Sequence, residues 1–479
     1  MHETRDTAVF LGPSLPRSEA QAILAATYLP PVRKGDIYAL LTSGVRRIVV
    51  IDGIFHSGPS VWQRELLAAI DEGIAVFGAS SMGALRAAEL HTLGMTGVGT
   101  VFEWFRDGLL DGDDEVALRH ASEEFGYRAL SEPLVNIRYT LQRAVGDGTL
   151  SPDEAADLVD ALKRTYYPDR SYRGVLACPI VQAWSQDRRD GFKAYLATNA
   201  IDVKAEDSRR VLDHCARTPI AATPPRVERA DPWSLEFRRV ALEFRTLADG
   251  DRTMAWADLR GGLRRARARW AAACAGVVTR WCVADLARRR AVACTAAEVQ
   301  AFSARWASEH RVDDVVAWAR ARGLSAREHA ELLAHHALVS SVREAGPDAL
   351  GLSWDREAAA RLAARLPRRA STPRIAADDC AFLSGWLDAH GFSCPRAERA
   401  RWLAAWNLRT PAQRAAAARA LALSPVRFRR ALAQRIAATW LVAAGPERFG
   451  VMIDVDVLAV QDTQFSTAPA ELFAIGGAP

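Results

Sequence analysis

An α/β N-terminal domain built on a parallel sheet, followed by an all-α C-terminal region, is the fold class that this sequence predicts. Three observations carry the prediction. Short apolar runs of buried-strand length recur early in the chain, each followed by turn residues and a helical pattern. Four prolines gather between Thr218 and Pro232. Beyond them, alanine, arginine and tryptophan replace the strand signature with helical periodicity.

The runs are Ala8–Leu11, Ile48–Ile51 and Ile74–Phe77. Apolar residues on both faces suit strands covered by helices on both sides, as in parallel sheets. Ser18 with Gln21, and Ser60 with Gln63, fit capping boxes. After Asp111 the pattern becomes more helical, and Ser151-Pro152-Asp153-Glu154 starts a helix with proline at N1 and acids at the positive end of the dipole. The domain boundaries expected are 1–217 for the α/β domain, 218–232 for a proline-rich linker and 233–479 for the helical region. There Trp318-x4-Gly323-Leu324-Ser325 is echoed by Trp386-x4-Gly391-Phe392-Ser393, on either side of the proline- and arginine-rich stretch Leu366–Pro373. This fits two helix–turn–helix-like units. From Met452 to Val455 the pattern turns strand-like.

A length of 479 residues fits two to three domains, and 49% hydrophobic with 25% charged residues exclude global disorder. The net charge of +5 rests on arginine; the lysines are Lys34, Lys163, Lys193 and Lys204 alone. Arg260, Arg264, Arg265, Arg267 and Arg269, on a predicted helix with Trp256 and Trp270, are the best nucleic-acid candidates, but a solvated helix face explains them as well. Nucleic acid is therefore not the expected partner, and a DNA-binding regulator is kept only as an alternative. Seven cysteines and ten histidines show no metal-ligand spacing, so neither a metal nor another cofactor is expected. The segment Met1–Asp6 lacks a charged-then-apolar signal pattern, and apolar stretches such as Trp270–Val278 are cut by arginine. A cytoplasmic protein without a membrane span is expected.

Ligands of open parallel sheets bind beyond the carboxyl ends of the strands. Those ends read Gly12-Pro13-Ser14, Asp52-Gly53-Ile54-Phe55-His56 and Gly78-Ala79-Ser80-Ser81. The third continues as Ala79-Ser80-Ser81-Met82-Gly83, a small-x-Ser-x-Gly pattern that suits a sharp strand-to-helix turn with Ser81 as nucleophile. Met82 and Gly83 would then offer backbone N–H groups to an oxyanion, and Ser80 would cap the helix. The alternative is that both serines are caps of a helix that only packs. A serine nucleophile needs a base. His56, and Lys34 once desolvated, are the candidates, while Arg64 stays protonated and suits an anion clamp. Asp52 either orients Arg64, activates water or shapes an Asp-Gly turn.

Several ordered motifs resemble the TfuA family over roughly Val9 to Asp207. They are Phe10-Leu11-Gly12-Pro13-Ser14-Leu15, Ile51-Asp52-Gly53, Val61-Trp62-x-x-Glu65-Leu66-Leu67 and Phe77–Leu90, followed by Gly94-Met95-x-Gly97-Val98-Gly99, Asp113–Ala117 and Leu134–Arg138. The resemblance implies an accessory role beside a YcaO-type enzyme that converts peptide amides to thioamides. It implies release of sulfide from a thiocarboxylated ubiquitin-like sulfur carrier by a Ser–Lys pair, with Ser81 as the serine; a non-catalytic adaptor is the alternative. The lysine the resemblance leads one to expect after Val61-Trp62 is Arg64 here, beside Gln63 rather than histidine. Either arginine suffices, or Lys34 substitutes, or the protein mainly scaffolds. Ser14, Arg86, Asn136 and Arg138 either contact the carrier's tail or brace the fold.

Overall fold

A computed structural model describes residues 6–55, 58–220, 240–367, 375–449 and 455–476. The chain divides into two compact units, Met1–Pro232 and Trp233–Pro479.

In the first unit the chain alternates. Strands β1 (Thr7–Phe10), β2 (Thr27–Leu29), β3 (Arg47–Val50), β4 (Ala75–Gly78) and β5 (Thr96–Gly97) are interleaved with helices α1 (Arg17–Ile23), α2 (Asp36–Leu40), α3 (Gln63–Asp71) and α4 (Met82–Leu90). After α5 (Thr100–Arg106) come α6 (Leu134–Gly146), α7 (Pro152–Lys163), α8 (Tyr172–Ala177), α9 (Pro179–Gln182), α10 (Gln186–Asn199) and α11 (Val203–Arg217). The sheet order is β2-β1-β3-β4-β5 and every pairing is parallel. The α/β expectation therefore holds. Three of the five strands were legible; β2 and β5 are edge strands too short to show a period.

From β1 the chain passes to β2 on one side, then returns to β3 on the other, so the connections diverge between β1 and β3. Such a switch point opens a crevice at the carboxyl ends of the strands. Register aligns those ends, pairing Phe10 with Val50, Val50 with Gly78 and Gly78 with Gly97. One face of the sheet packs Val9, Val49, Ile51, Phe77 and Ala79 against α1 and against Ala205, Val211 and Leu212 of α11. Helix α11 thereby sends its first turn to the crevice end.

Helix starts differ from the expected boxes. Helix α1 begins at Arg17 without a side-chain cap. Helix α3 begins at Gln63, and Glu65 rather than Gln63 accepts the N-cap amide, that of Trp62, at 3.3 Å. Helix α7 starts as expected with Pro152 at N1, and it also carries a box: Ser151 Oγ accepts from Glu154 N, and Glu154 Oε2 from Ser151 N at 2.9 Å.

The second unit is helical, as expected, but also carries an antiparallel hairpin of Thr246–Asp249 and Arg252–Ala255. Its turn, Asp249-Gly250-Asp251, was hidden by the alanine–arginine composition. The arginine-rich helix is two helices, Trp256–Arg265 and Arg267–Arg289, broken at Ala266. Arg260 lies over Trp256 and Arg264 over Trp270. The two Trp–Gly echoes do join helix pairs, Val315–Ala321 to Ala326–Ala345 and Ala377–Ala389 to Arg396–Ala405. Their tryptophans face inward, Trp318 on Trp306 at 4.7 Å and Trp386 on Trp281 at 5.9 Å. Met452–Asp454 lie outside the described residues, and Val455 opens a helix rather than continuing a strand. Among the described residues no helix is long and apolar enough to cross a membrane.

Candidate active site

The crevice is organised by Asp52, which follows β3 and is 2% exposed. Its Oδ2 accepts Gly12 N–H at 2.8 Å and Ser14 N–H at 3.0 Å, and its Oδ1 accepts the Ser14 hydroxyl at 2.6 Å. One carboxylate thus ties the end of β3 to the loop after β1, across the switch point. From the other side Val32 N–H donates to Asp52 O, and Ile54 N–H to Val32 O. Asp52 therefore shapes the crevice floor through its bonds to Gly12 and Ser14.

Beyond β4 the chain reverses within three residues. Ser81 N–H donates back to Ala79 O at 2.8 Å, closing a γ-turn around Ser80. Ser80 has φ +69°, the rare strained hand of that turn. Its hydroxyl is sealed from solvent and has no hydrogen-bond partner, so Ser80 is not the helix cap expected of it. Ser81 follows as the N-cap residue of α4, and its hydroxyl makes no capping bond. The turn puts Ser81, only 3% exposed, at the positive end of the helix.

Gly83 has a different part from the oxyanion donor expected. Its N–H donates to Ile51 O at 3.2 Å. A Cβ there would lie 1.8 Å from Val50 O, so Gly83 lets α4 press against the sheet. Met82, at N1, keeps an N–H for which the helix has no acceptor. Gly53 is equally tight, since a Cβ would approach Met82 Cγ to 2.6 Å. These approaches bring the Asp52 turn beside Ser81.

Sequence reasoning missed Lys204, in the first turn of α11 and 2% exposed. Its Nζ donates to Val116 O at 2.9 Å. Burial, the largest influence, pushes the amine below the ordinary lysine range, against the opposing field of Asp52, Asp202 and Glu132. Asn136 holds this group together: Nδ2 donates to Glu132 Oε1 at 2.7 Å and Asp202 Oδ1 at 3.1 Å, while Oδ1 accepts Lys204 N–H at 3.3 Å. Burial raises the Glu132 carboxyl to about 7. A signal was present in the sequence. Lys204 shares a helical stripe with Ser208, Val211 and Cys215, all buried.

The other candidates lie at the rim or within the fold. Lys34 Nζ sits 3.7 Å above the Trp62 ring, and Arg64 is exposed in the first turn of α3. Arg86 donates to Val61 O and to Glu89, tying α4 to the residues before α3. Arg138 forms a bidentate pair with buried Glu115. Arg86, Asn136 and Arg138 thus brace the fold through these bonds. His56 lies outside the described residues. Among the described residues no cluster of histidine, cysteine and acids could hold a metal ion.

Residues 52–171 match the family model described as TfuA-like protein. That segment contains Asp52, Arg64, the Ser80–Gly83 turn, Glu132 and Arg138, and excludes Ser14, Lys34 and Lys204. No curated protein matches the chain.

Proposed function

From the TfuA-like character of residues 52–171, we propose that this protein delivers sulfur for peptide or protein backbone thioamidation. TfuA-like proteins are associated with an accessory role in that modification. The proposed reaction is hydrolysis of a thiocarboxylated ubiquitin-like carrier, with release of hydrosulfide to a YcaO-type partner. Ser81 Oγ bonds to the thiocarboxylate carbon and the C–S bond breaks. The serine's proton leaves with sulfur as hydrosulfide. Water then cleaves the Ser81 ester, returning the serine and a carrier carboxylate.

The observation that carries this reading is the strained γ-turn at Ser80, which sets an uncapped Ser81 hydroxyl at the head of α4. Strain of this kind persists where the surrounding structure holds it, and it gathers at reactive groups. The free Met82 N–H and the helix dipole favour the negative charge that develops on the attacked oxygen. Arg64 and Lys34, at the rim, supply positive charge toward an anionic carrier tail.

The test compares Ser81→Ala with Ser80→Ala in the full chain, measuring sulfide release from a thiocarboxylated carrier. Loss of a nucleophile costs several orders of magnitude, so Ser81→Ala is expected to fall by about 10³-fold or more and Ser80→Ala by far less. A folded Ser81→Ala protein that still releases sulfide at the original rate refutes the hydrolase. Retained binding to the YcaO-type enzyme would then leave a non-catalytic adaptor.

A further inference from the structure

On the sequence alone, a solvated helix face accounts for Arg260, Arg264, Arg265, Arg267 and Arg269 as well as nucleic acid does. The fold separates the two readings. The helix Trp256–Arg265 stops at Ala266, whose ψ of 64° breaks the helical path, and the helix Arg267–Arg289 starts directly after it. The arginines thus gather where one helix ends and the next begins. Arg264, Arg265, Arg267 and Arg269 are all exposed there, among exposed Ala268, Ala271 and Ala272. Residues 259–284 contain no aspartate or glutamate.

A solvated helix face stabilises its arginines with acids one turn away. Asp285 does this for Arg289 at 2.9 Å, and Glu398 for Arg401 at 3.5 Å, both in this unit. The positions one turn from Arg267 and Arg269 hold only Leu263, alanine, arginine and Trp270. Among the described residues neither arginine makes an ion pair. Both also stand in the first turn of a 23-residue helix with no side-chain cap and no acid in that turn. Positive side chains at that end oppose the helix dipole. Helix stability does not account for them, whereas an anion bound from outside would offset the opposition.

We propose that this corner binds the phosphate backbone of nucleic acid without reading base sequence, a role independent of the sulfur chemistry. Each guanidinium presents a planar fork of donors that matches two phosphate oxygens. Residues 256–275 contain no asparagine, glutamine, serine or threonine whose amide or hydroxyl would read base edges. Neither helix carries any of the large apolar side chains that the described surface exposes. The corner therefore lacks the apolar anchor that a protein hot spot or an inserted membrane helix needs. Trp270 is half-buried, with Arg264 over its ring at 5.8 Å. What remains at the surface is charge, spaced by alanine.

Fluorescence anisotropy of the full chain with two labelled probes of arbitrary sequence, a DNA duplex and a single-stranded RNA, tests the proposal. Contacts from the four exposed arginines give a slope of log K against log salt of about −3.6 for the duplex and about −2.8 for the single strand. For the duplex that is a loss of about 100-fold between about 50 and 200 mM salt. The steeper-binding probe identifies which backbone is preferred, and changing its sequence should alter affinity by less than about threefold. The double variant Arg267→Gln, Arg269→Gln should weaken binding at least about tenfold and halve the slope. Arg267→Lys with Arg269→Lys keeps the charge and should restore the slope, and Arg401→Gln should change neither quantity. Both double variants should melt near the wild-type temperature, because the altered side chains are exposed. Failure of both probes to bind at about 50 mM salt overturns the proposal, as does wild-type affinity and slope in the folded glutamine variant. Displacement of the probe by poly-L-glutamate as readily as by unlabelled nucleic acid also overturns it, in favour of an acidic polypeptide. Should the glutamine variant not fold, ultraviolet cross-links of the wild-type complex decide: cross-links within residues 256–275 support the proposal, and cross-links confined elsewhere refute it.

Discussion

Replacing Asp52 by asparagine probes the joint on which the crevice depends. The carboxylate accepts three hydrogen bonds from Gly12 and Ser14, all buried. Hydrogen bonds to a charged acceptor contribute about 1.5–3 kcal/mol each, against about 0.5–1.5 kcal/mol for neutral ones. The asparagine oxygen can still accept the two N–H groups but without the charge, and its NH2 can meet Ser14 Oγ only as a donor, so each of the three bonds weakens by about 1 kcal/mol and the set by about 3 kcal/mol. That is a factor of about 100 in the equilibrium for opening the loop after β1. Hydrogen exchange read by mass spectrometry should show peptides spanning Leu11–Leu15 exchanging about 100-fold faster in Asp52→Asn. Peptides from the helix Ala326–Ala345, in the other compact unit, are the internal standard. Ser14→Ala removes only the hydroxyl donor and should give a smaller rise, about tenfold. Exchange within threefold of wild type in Asp52→Asn would refute the argument that this carboxylate holds the two strand ends together.

Two further perturbations follow from the same unit. Burial raises the Glu65 carboxyl from 4.5 to about 7 although it accepts N–H groups from Trp62 and Gly35. The folded state therefore binds this proton more tightly than the unfolded one. Its contribution is fully present below about pH 4.5 and is lost as pH rises through about 7. Glu65→Gln should flatten that fall, worth about 3 kcal/mol, in melting curves recorded from pH 4 to 8, and an unchanged slope would count against it. Gly83→Ala places a methyl 1.8 Å from Val50 O and should prevent stable folding of the N-terminal unit. Gly146→Ala, with open space around it, should change the melting temperature little.

Local pattern made much of this protein legible. The strands β1, β3 and β4 are continuous apolar runs because a parallel sheet covered on both faces has no wet side to encode. The serine turn could be read because a sharp strand-to-helix reversal needs small residues, and Ala79, Ser80 and Gly83 supply them. Which serine bears the strain was not legible. The pattern pointed to a reversal around Ser81, whereas the backbone places φ +69° at Ser80 and frees Ser81 to head the helix. The pattern asks for a small residue at position 83 to permit the turn, and the structure uses Gly83 for close packing of α4 on the sheet. Its want of a side chain admits Val50 O, and its N–H is spent on Ile51.

Partners distant in sequence were decided by the tertiary structure alone. Asp52 meets Ser14 because the chain order switches between β1 and β3, and spacing along the chain does not carry that information. Lys204 illustrates the limit most clearly. The resemblance points to a basic group just after Trp62, whereas Lys204 stands in the first turn of a far later helix, whose Ala205 packs in one cluster with Ile51 and Ala79. The sequence by itself determined that Lys204 would lie on the buried stripe of a helix, because helical periodicity is a local property. Only packing decided what that stripe would face, since burial of an amine against Val116 O and the field of Asp52 depends on segments that come together when the whole unit condenses.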